Sequence, residues 1–160
     1  MNFYQQLGFL VFGSRLKRLG DTFLCDVNRI YRTHNISFDA SWFPVFYILS
    51  EKGEVSIKEV ADELMVSHSA VSQLVSSLQQ KGLMKSIISK RDARHRVITF
   101  TAKGEKLLAK IQPVWKALSK AMEQLTDETT QCRKILDALT ALEKNIQHET
   151  VFDRVEKILE

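Results

Sequence analysis

The chain has 160 residues, 44% of them hydrophobic and 26% charged, with a formal net charge of +4. That length and apolar content exclude wholesale disorder, and no apolar run approaches the roughly 18 residues of a membrane span. Cys25 and Cys132 lie far apart and outside any C-x-x-C spacing, which excludes a disulfide framework or a zinc knuckle.

Taken in chain order, the first twelve residues are apolar in patches, with no basic segment before them and no small-residue cleavage site after them. A signal peptide is therefore not expected, and a cytoplasmic chain with reduced thiols is. Leu16, Leu19, Phe23, Leu24, Val27, Ile30 and Tyr31 recur at three- and four-residue steps. They predict one face of a long helix ending near His34-Asn35. Ser41 is expected to cap a second helix carrying Trp42, Phe43, Phe46, Ile48 and Leu49, with Pro44 tolerated in its first turn and Gly53 as its stop.

Ser56-Ile57-Lys58-Glu59 is an S-x-x-E capping box, in which the serine oxygen and the glutamate side chain satisfy orphaned amides, so a helix should begin at Ile57. Ile57, Val60, Ala61 and Leu64 line its inner face. Met65-Val66-Ser67 makes a turn, with Ser67 as the next cap. The following helix turns Val71, Leu74, Val75 and Leu78 inward, and His68, Ser69, Ser72, Gln73, Ser76 and Gln80 outward. Gly82 suits the left-handed position after it, and Leu83 can close onto Leu78 as in a Schellman motif.

Met84 to Ser89 and Arg96 to Thr101 are expected strands, joined by the polar run Lys90-Arg91-Asp92-Ala93-Arg94-His95. Thr101 can cap a long helix through Leu107, Leu108, Ile111, Val114, Trp115, Leu118, Met122 and Leu125, which Pro113 should kink. Another helix is expected from Thr126 or Asp127, with Cys132, Ile135, Leu136, Leu139, Leu142 and Ile146 on one face. Val151, Phe152, Val155, Ile158 and Leu159 suggest a short last one. The fold class is mainly α with a small antiparallel β-hairpin, in the order of a winged helix-turn-helix. Apolar helices at both ends exceed what such a lobe needs for its own core, which points to an intertwined homodimer.

Charge is unevenly placed. Residues 81–106 hold eight Lys or Arg against Asp92 and Glu105, a local +6 on a body summing to −2. A basic cluster that coincides with a predicted hairpin after a helix-turn-helix is the footprint of a phosphate-backbone contact.

Over nearly its whole length the chain resembles the MarR (multiple-antibiotic-resistance regulator) family of transcription factors. The carriers are Ile57 to Leu64, Ser67 to Val75, Leu78, Lys81-Gly82-Leu83, and above all Asp92-Ala93-Arg94 followed by Val97-Ile98-Thr99-Phe100-Thr101 and Lys103-Gly104. The resemblance implies one domain over 1–160, with dimerisation helices at 1–35 and 103–160 and a DNA-binding lobe at 41–101. It makes Ser67 to Lys81 the recognition helix and Arg94 the wing residue entering the minor groove, with Asp92 orienting nearby arginines. The expected DNA contacts are His68, Ser69, Ser72, Gln73, Ser76, Lys85, Lys90, Arg91, Arg94 and Arg96, with double-stranded DNA and a second copy as partners.

This chain departs from the family pattern at Phe100, where leucine is usual, at Ala93, where a basic residue is frequent, and at Gln73, where many relatives have arginine. Glutamine pairs bidentately with adenine, so an A·T contact is expected there. Gly13 to Leu19 and Trp42 to Val45 also resemble the regulator half of proteins that fuse such a domain to an acetyltransferase; this chain stops without one, and a stand-alone regulator is expected.

Sharper chemistry has blander competitors. The exposed serines have no histidine and carboxylate placed as a relay, so no catalytic residue, cofactor or enzymatic activity is expected. Cys25 and Cys132 read as buried inert thiols rather than oxidant sensors. His34, His68, His95 and His148 fall on four elements, so they are expected in ordinary roles rather than as a metal site. Phe23, Tyr31, Trp42, Phe43 and Phe46, with Phe38 and Tyr47, either line a pocket for a small lipophilic or aromatic effector or are simply core, the commoner role of aromatics at helical spacing. A protein-interaction module that kept the fold and lost operator binding is the alternative to a regulator, favoured by a recognition face without Lys or Arg.

Overall fold

A computed structural model describes residues 2–89 and 96–160. Its elements are α1 (Phe3–Gln6), a 3₁₀ turn (Gly8–Val11), α2 (Phe12–Thr33), a 3₁₀ turn (Ala40–Trp42), α3 (Phe43–Lys52), α4 (Ile57–Leu64), α5 (His68–Gln80), β1 (Met84–Ile88), β2 (Arg96–Phe100), α6 (Ala102–Asp127), α7 (Ile135–His148) and α8 (Val151–Leu159). The mainly helical architecture with one antiparallel pair of strands is the expected winged helix-turn-helix order. The chain divides after Pro113 into two compact units, 1–113 and 114–160. Among the described residues, no helix is long and apolar enough to cross a membrane.

The first unit holds the core. Phe38 is its aromatic centre, with Tyr31 at 5.0 Å, Trp42 at 5.5 Å and Phe46 at 4.9 Å, all edge-to-face. Phe46 in turn meets Phe100 at 5.0 Å. Such ring pairs add roughly 0.5–1.5 kcal/mol each beyond the apolar area they bury. Val60, Val71, Val75, Leu78 and Ile98 complete the packing, each at most 2% exposed.

Several local predictions hold in detail. The Ser56 hydroxyl accepts from the Glu59 amide at 3.1 Å, and the Glu59 carboxylate accepts from the Ser56 amide at 2.7 Å. Replacing Ser56 with alanine is expected to cost about 1 kcal/mol, read as a lower urea midpoint with unchanged slope. The end of α5 is a Schellman motif: the Leu83 amide donates to Leu78 O at 3.0 Å and the Gly82 amide to Gln79 O at 2.8 Å, with Gly82 at φ +69°. Pro113 lies inside α6.

Other boundaries move, each for a local reason. Ser41 is not the cap of α3. Asp39 instead caps a 3₁₀ turn ahead of it, its carboxylate accepting from the Ser41 amide at 2.8 Å, and α3 follows with Trp42 at its N-cap and no side-chain cap bond. The helix expected from Thr126 or Asp127 begins only at Ile135. Thr126 turns its hydroxyl back to Glu123 O at 3.0 Å instead of capping forward, so 126–127 close α6 and Cys132 lies in the turns that follow. Helix α2 starts at Phe12 rather than Leu16, behind a short α1 capped by Asn2.

The strands stop at Ile88 and Phe100, one residue short of Ser89 and Thr101; at the end of β2, Thr101 is committed to α6, its Oγ1 accepting from the Gly104 amide at 3.1 Å. One pairing lay outside the predicted strands: Val55 exchanges two bonds with Ile98, at 2.8 and 3.2 Å, on β2.

Cys25 and Cys132, expected to be buried, are both exposed. Their surroundings explain it. Tyr31 is the one buried residue of α2, and residues 114–160 bury no residue at all. In that second unit the Thr150/Asp153 capping box starts α8. A hydrogen bond from Lys157 at 2.5 Å, reinforced by the charge of Arg154, holds the Glu149 carboxyl below the usual carboxylate range.

Candidate nucleic-acid interface

Helix α5 is built to offer one face. Ser67 caps it, accepting from the Ala70 amide at 3.2 Å. The turn before it is closed by Met65 in the left-handed region (φ +53°) and by the Val66 amide bonding to Ala61 O at 3.1 Å. Val71, Val75 and Leu78 anchor the inner side, which leaves His68, Ser69, Gln73, Ser76 and Gln80 exposed on the other and Ser72 half-buried at its edge. No Lys or Arg occurs in α5. Its N-terminal end, with His68 and Ser69, carries the positive end of the helix dipole.

The strands stand beside this face. Gln79 Nε2 donates to Ser86 Oγ at 3.0 Å, tying the end of α5 to β1. β1 and β2 pair from Met84↔Phe100 to Ile88↔Arg96, with Val97, Ile98 and Phe100 turned into the core and Lys85 and Arg96 exposed. Neither cation is ion-paired to a carboxylate among the described residues. Lys90, Arg91, Asp92 and Arg94, with Ala93 and His95, lie outside the described residues, so the expected wing tip is carried by sequence.

The expected aromatic pocket set does not come together as a pocket. Tyr31 and Phe46 are fully buried in the core around Phe38, Phe23 and Phe43 are exposed away from it, and Trp42 is half-buried. Trp42 does border a cleft of about 480 Å³ whose other walls include Lys81, Lys103, Lys106 and Lys110. That grouping was missed at the level of sequence. The signal available was the spacing of Lys103, Lys106 and Lys110, which repeats on one face of a helix. Among the described residues, no three His, Cys, Asp or Glu side chains gather as a metal site.

Residues 36–95 match the model of the MarR family. The HTH-type transcriptional repressor IacR of Pseudomonas putida is 27% identical over 97 residues, which are 60% of this chain, and the match spans only 58% of that protein's length. The fold is similar to that of the M. tuberculosis regulator MOSR, solved in complex with DNA: TM-score 0.67 at 18% identity, covering 84% of this chain and 95% of the other. The S. aureus MepR–DNA complex gives 0.67 at 14% identity, covering 84% and 97%. A MarR mutant of E. coli complexed with operator DNA gives 0.63 at 18%, covering 91% and 99%. The motif-bearing segment 36–95 thus matches the MarR family, within a chain whose winged helix-turn-helix fold is similar to that of these solved regulators.

Proposed function

We propose that this chain is a DNA-binding transcription regulator that acts as a homodimer on a pseudo-palindromic duplex, with no catalytic step of its own. The observation that carries the reading is the outward face of α5: capped at both ends, anchored by three buried side chains, and lined with short polar groups beside the exposed cations Lys85 and Arg96. Two such helices would enter successive major grooves about one helical turn apart. Lys85 and Arg96, with Lys90, Arg91 and Arg94 of the wing and Asp92 to orient them, supply phosphate and minor-groove grip. His68, Ser69, Ser72, Gln73 and Ser76 choose the sequence.

A second copy is the natural cover for the uncovered apolar stripes of the terminal helices. On α2, Leu16, Leu19, Phe23 and Leu24 are 39–49% exposed, and on α8 Ile158 and Leu159 are 83% and 76% exposed. The helices at 1–35 and 103–160 are the ones assigned to dimerisation, around the lobe at 41–101. The solved DNA complexes of similar fold and the match to a repressor support this reading.

The absence of Lys and Arg from α5 favours a second reading, an interaction module without operator preference. Selection of bound fragments from a random duplex library decides between them. A reproducible inverted repeat is the expected result, and salt-sensitive retention with no sequence preference would establish the alternative. In the same selection, Gln73→Ala is expected to lose the preference at one position per half-site, a change of roughly 1–3 kcal/mol there. A uniform loss across all sequences would make Gln73 a positioning contact.

A further inference from the structure

The cleft beside Trp42 is lined by ten residues: Asn35, Ile36, Ser37, Trp42, Lys81, Leu83, Lys103, Lys106, Leu107 and Lys110. Four are lysines and none is acidic. None of the four lysines is ion-paired to a carboxylate among the described residues. Four lysines on the walls of one concavity give it a positive field, which an anion would neutralise. The polar remainder, Asn35 and Ser37, and the apolar wall of Ile36, Leu83, Leu107 and Trp42 give the cleft a second character. Its volume of about 480 Å³ falls in the range of small-molecule sites.

The charge type narrows the occupant further. Arginine forks suit planar carboxylates, whereas lysines act as point charges that gather on a multiply charged, non-planar group. This cleft has four lysines and no arginine. We infer that it binds a small organic phosphate, a dianionic head among Lys81, Lys103, Lys106 and Lys110 with an apolar ring against Trp42 and Leu107.

Occupancy has a structural cost that makes it informative. Lys103 Nζ donates to the carbonyl of Lys81, the C-cap of α5, at 2.7 Å, and Lys81 Nζ sits 5.4 Å from the centre of the Trp42 ring. A phosphate competes with that carbonyl for Lys103 and with that ring for Lys81. Binding would therefore weaken two ties at the C-terminal end of the helix proposed to read DNA, because each ammonium would share its protons with the phosphate. This last consequence rests on the proposed DNA-binding role, whereas binding itself does not.

The test uses the full chain without DNA and phenyl phosphate as probe, with phenol and benzoate as controls, followed by calorimetry and by Trp42 emission in a Trp115→Phe background. Phenyl phosphate is expected to bind at least tenfold more tightly than phenol or benzoate and to change Trp42 emission. The surface double variant Lys106→Gln/Lys110→Gln is expected to lose at least tenfold of that affinity while keeping its urea midpoint. Equal binding of the three compounds, or no effect of the double variant, overturns the assignment. So does parallel loss of duplex affinity in the double variant, with phenyl phosphate and duplex DNA competing directly, since the lysines would then serve backbone phosphates. Failure of the library selection with intact phenyl phosphate binding would overturn the DNA-binding role alone.

Discussion

Replacing Gly104 with alanine is expected to destabilise the first unit by about 3 kcal/mol or more, although alanine is the better helix former by about 1 kcal/mol. The two effects have opposite signs, and geometry decides between them. A Cβ at Gly104 would stand 2.1 Å from the carbonyl oxygen of Leu83 and 3.0 Å from Cδ1 of Phe100. The first contact is with backbone, which cannot swing aside as a side chain can. Leu83 is also the residue whose amide closes the Schellman motif of α5, and the Thr101 hydroxyl donates to Gly82 O at 2.6 Å in the same junction. Relieving the clash means parting α6 from the end of α5. Urea denaturation is the direct measurement. A stabilised Gly104→Ala protein would show that the junction yields freely and that helix propensity alone governs the site.

Phe46→Ala is expected to cost about 3–5 kcal/mol, the usual toll of emptying a core aromatic site. The ring is fully buried, 4.9 Å from Phe38 and 5.0 Å from Phe100, so its removal leaves a hole that neighbouring elements cannot all collapse to fill. Phe43, from the same sequence-level set, is 39% exposed and should lose well under half as much when truncated. Comparing the two midpoints separates core from pocket wall. A small, similar loss at both positions would return the aromatic set to its reading as a ligand cavity.

How far sequence reached depended on whether a residue's partner was close along the chain. Ser56 with Glu59, Ser67 with Ala70, and Gly82 with Leu78 and Leu83 are all local arrangements, and they stand as the motifs foretold. Thr126 shows the limit of that logic, since a hydroxyl can bond backward to Glu123 O as well as forward to an amide, and composition does not choose. Asp39 shows the same limit, since a cap former two residues before Ser41 opened a 3₁₀ turn and drew the Ser41 amide into it.

Non-local features were out of reach. Nothing near Val55 announces a partner on β2, and nothing near Lys81 announces that Lys103 will find its carbonyl. The aromatic set was ambiguous because ring spacing on a helix gives the face and not what lies opposite. Tyr31 and Phe46 met Phe38, whereas Phe23, on the apolar stripe of Tyr31, stays 42% exposed.

The Val55 bridge has a kinetic meaning. Its two bonds to Ile98 join residues on either side of the whole helix-turn-helix, so they close the loop that contains α4 and α5, and a loop of that size carries a closure entropy that local contacts must first offset. Whereas the pairing of β1 with β2 is local in sequence, the Val55–Ile98 bridge is therefore expected to close after the helical pair. Once formed, it covers one edge of β2 and leaves β1 as the outer strand, confining the open edge to the side that bears Lys85, a charge of the kind that discourages strand-to-strand association.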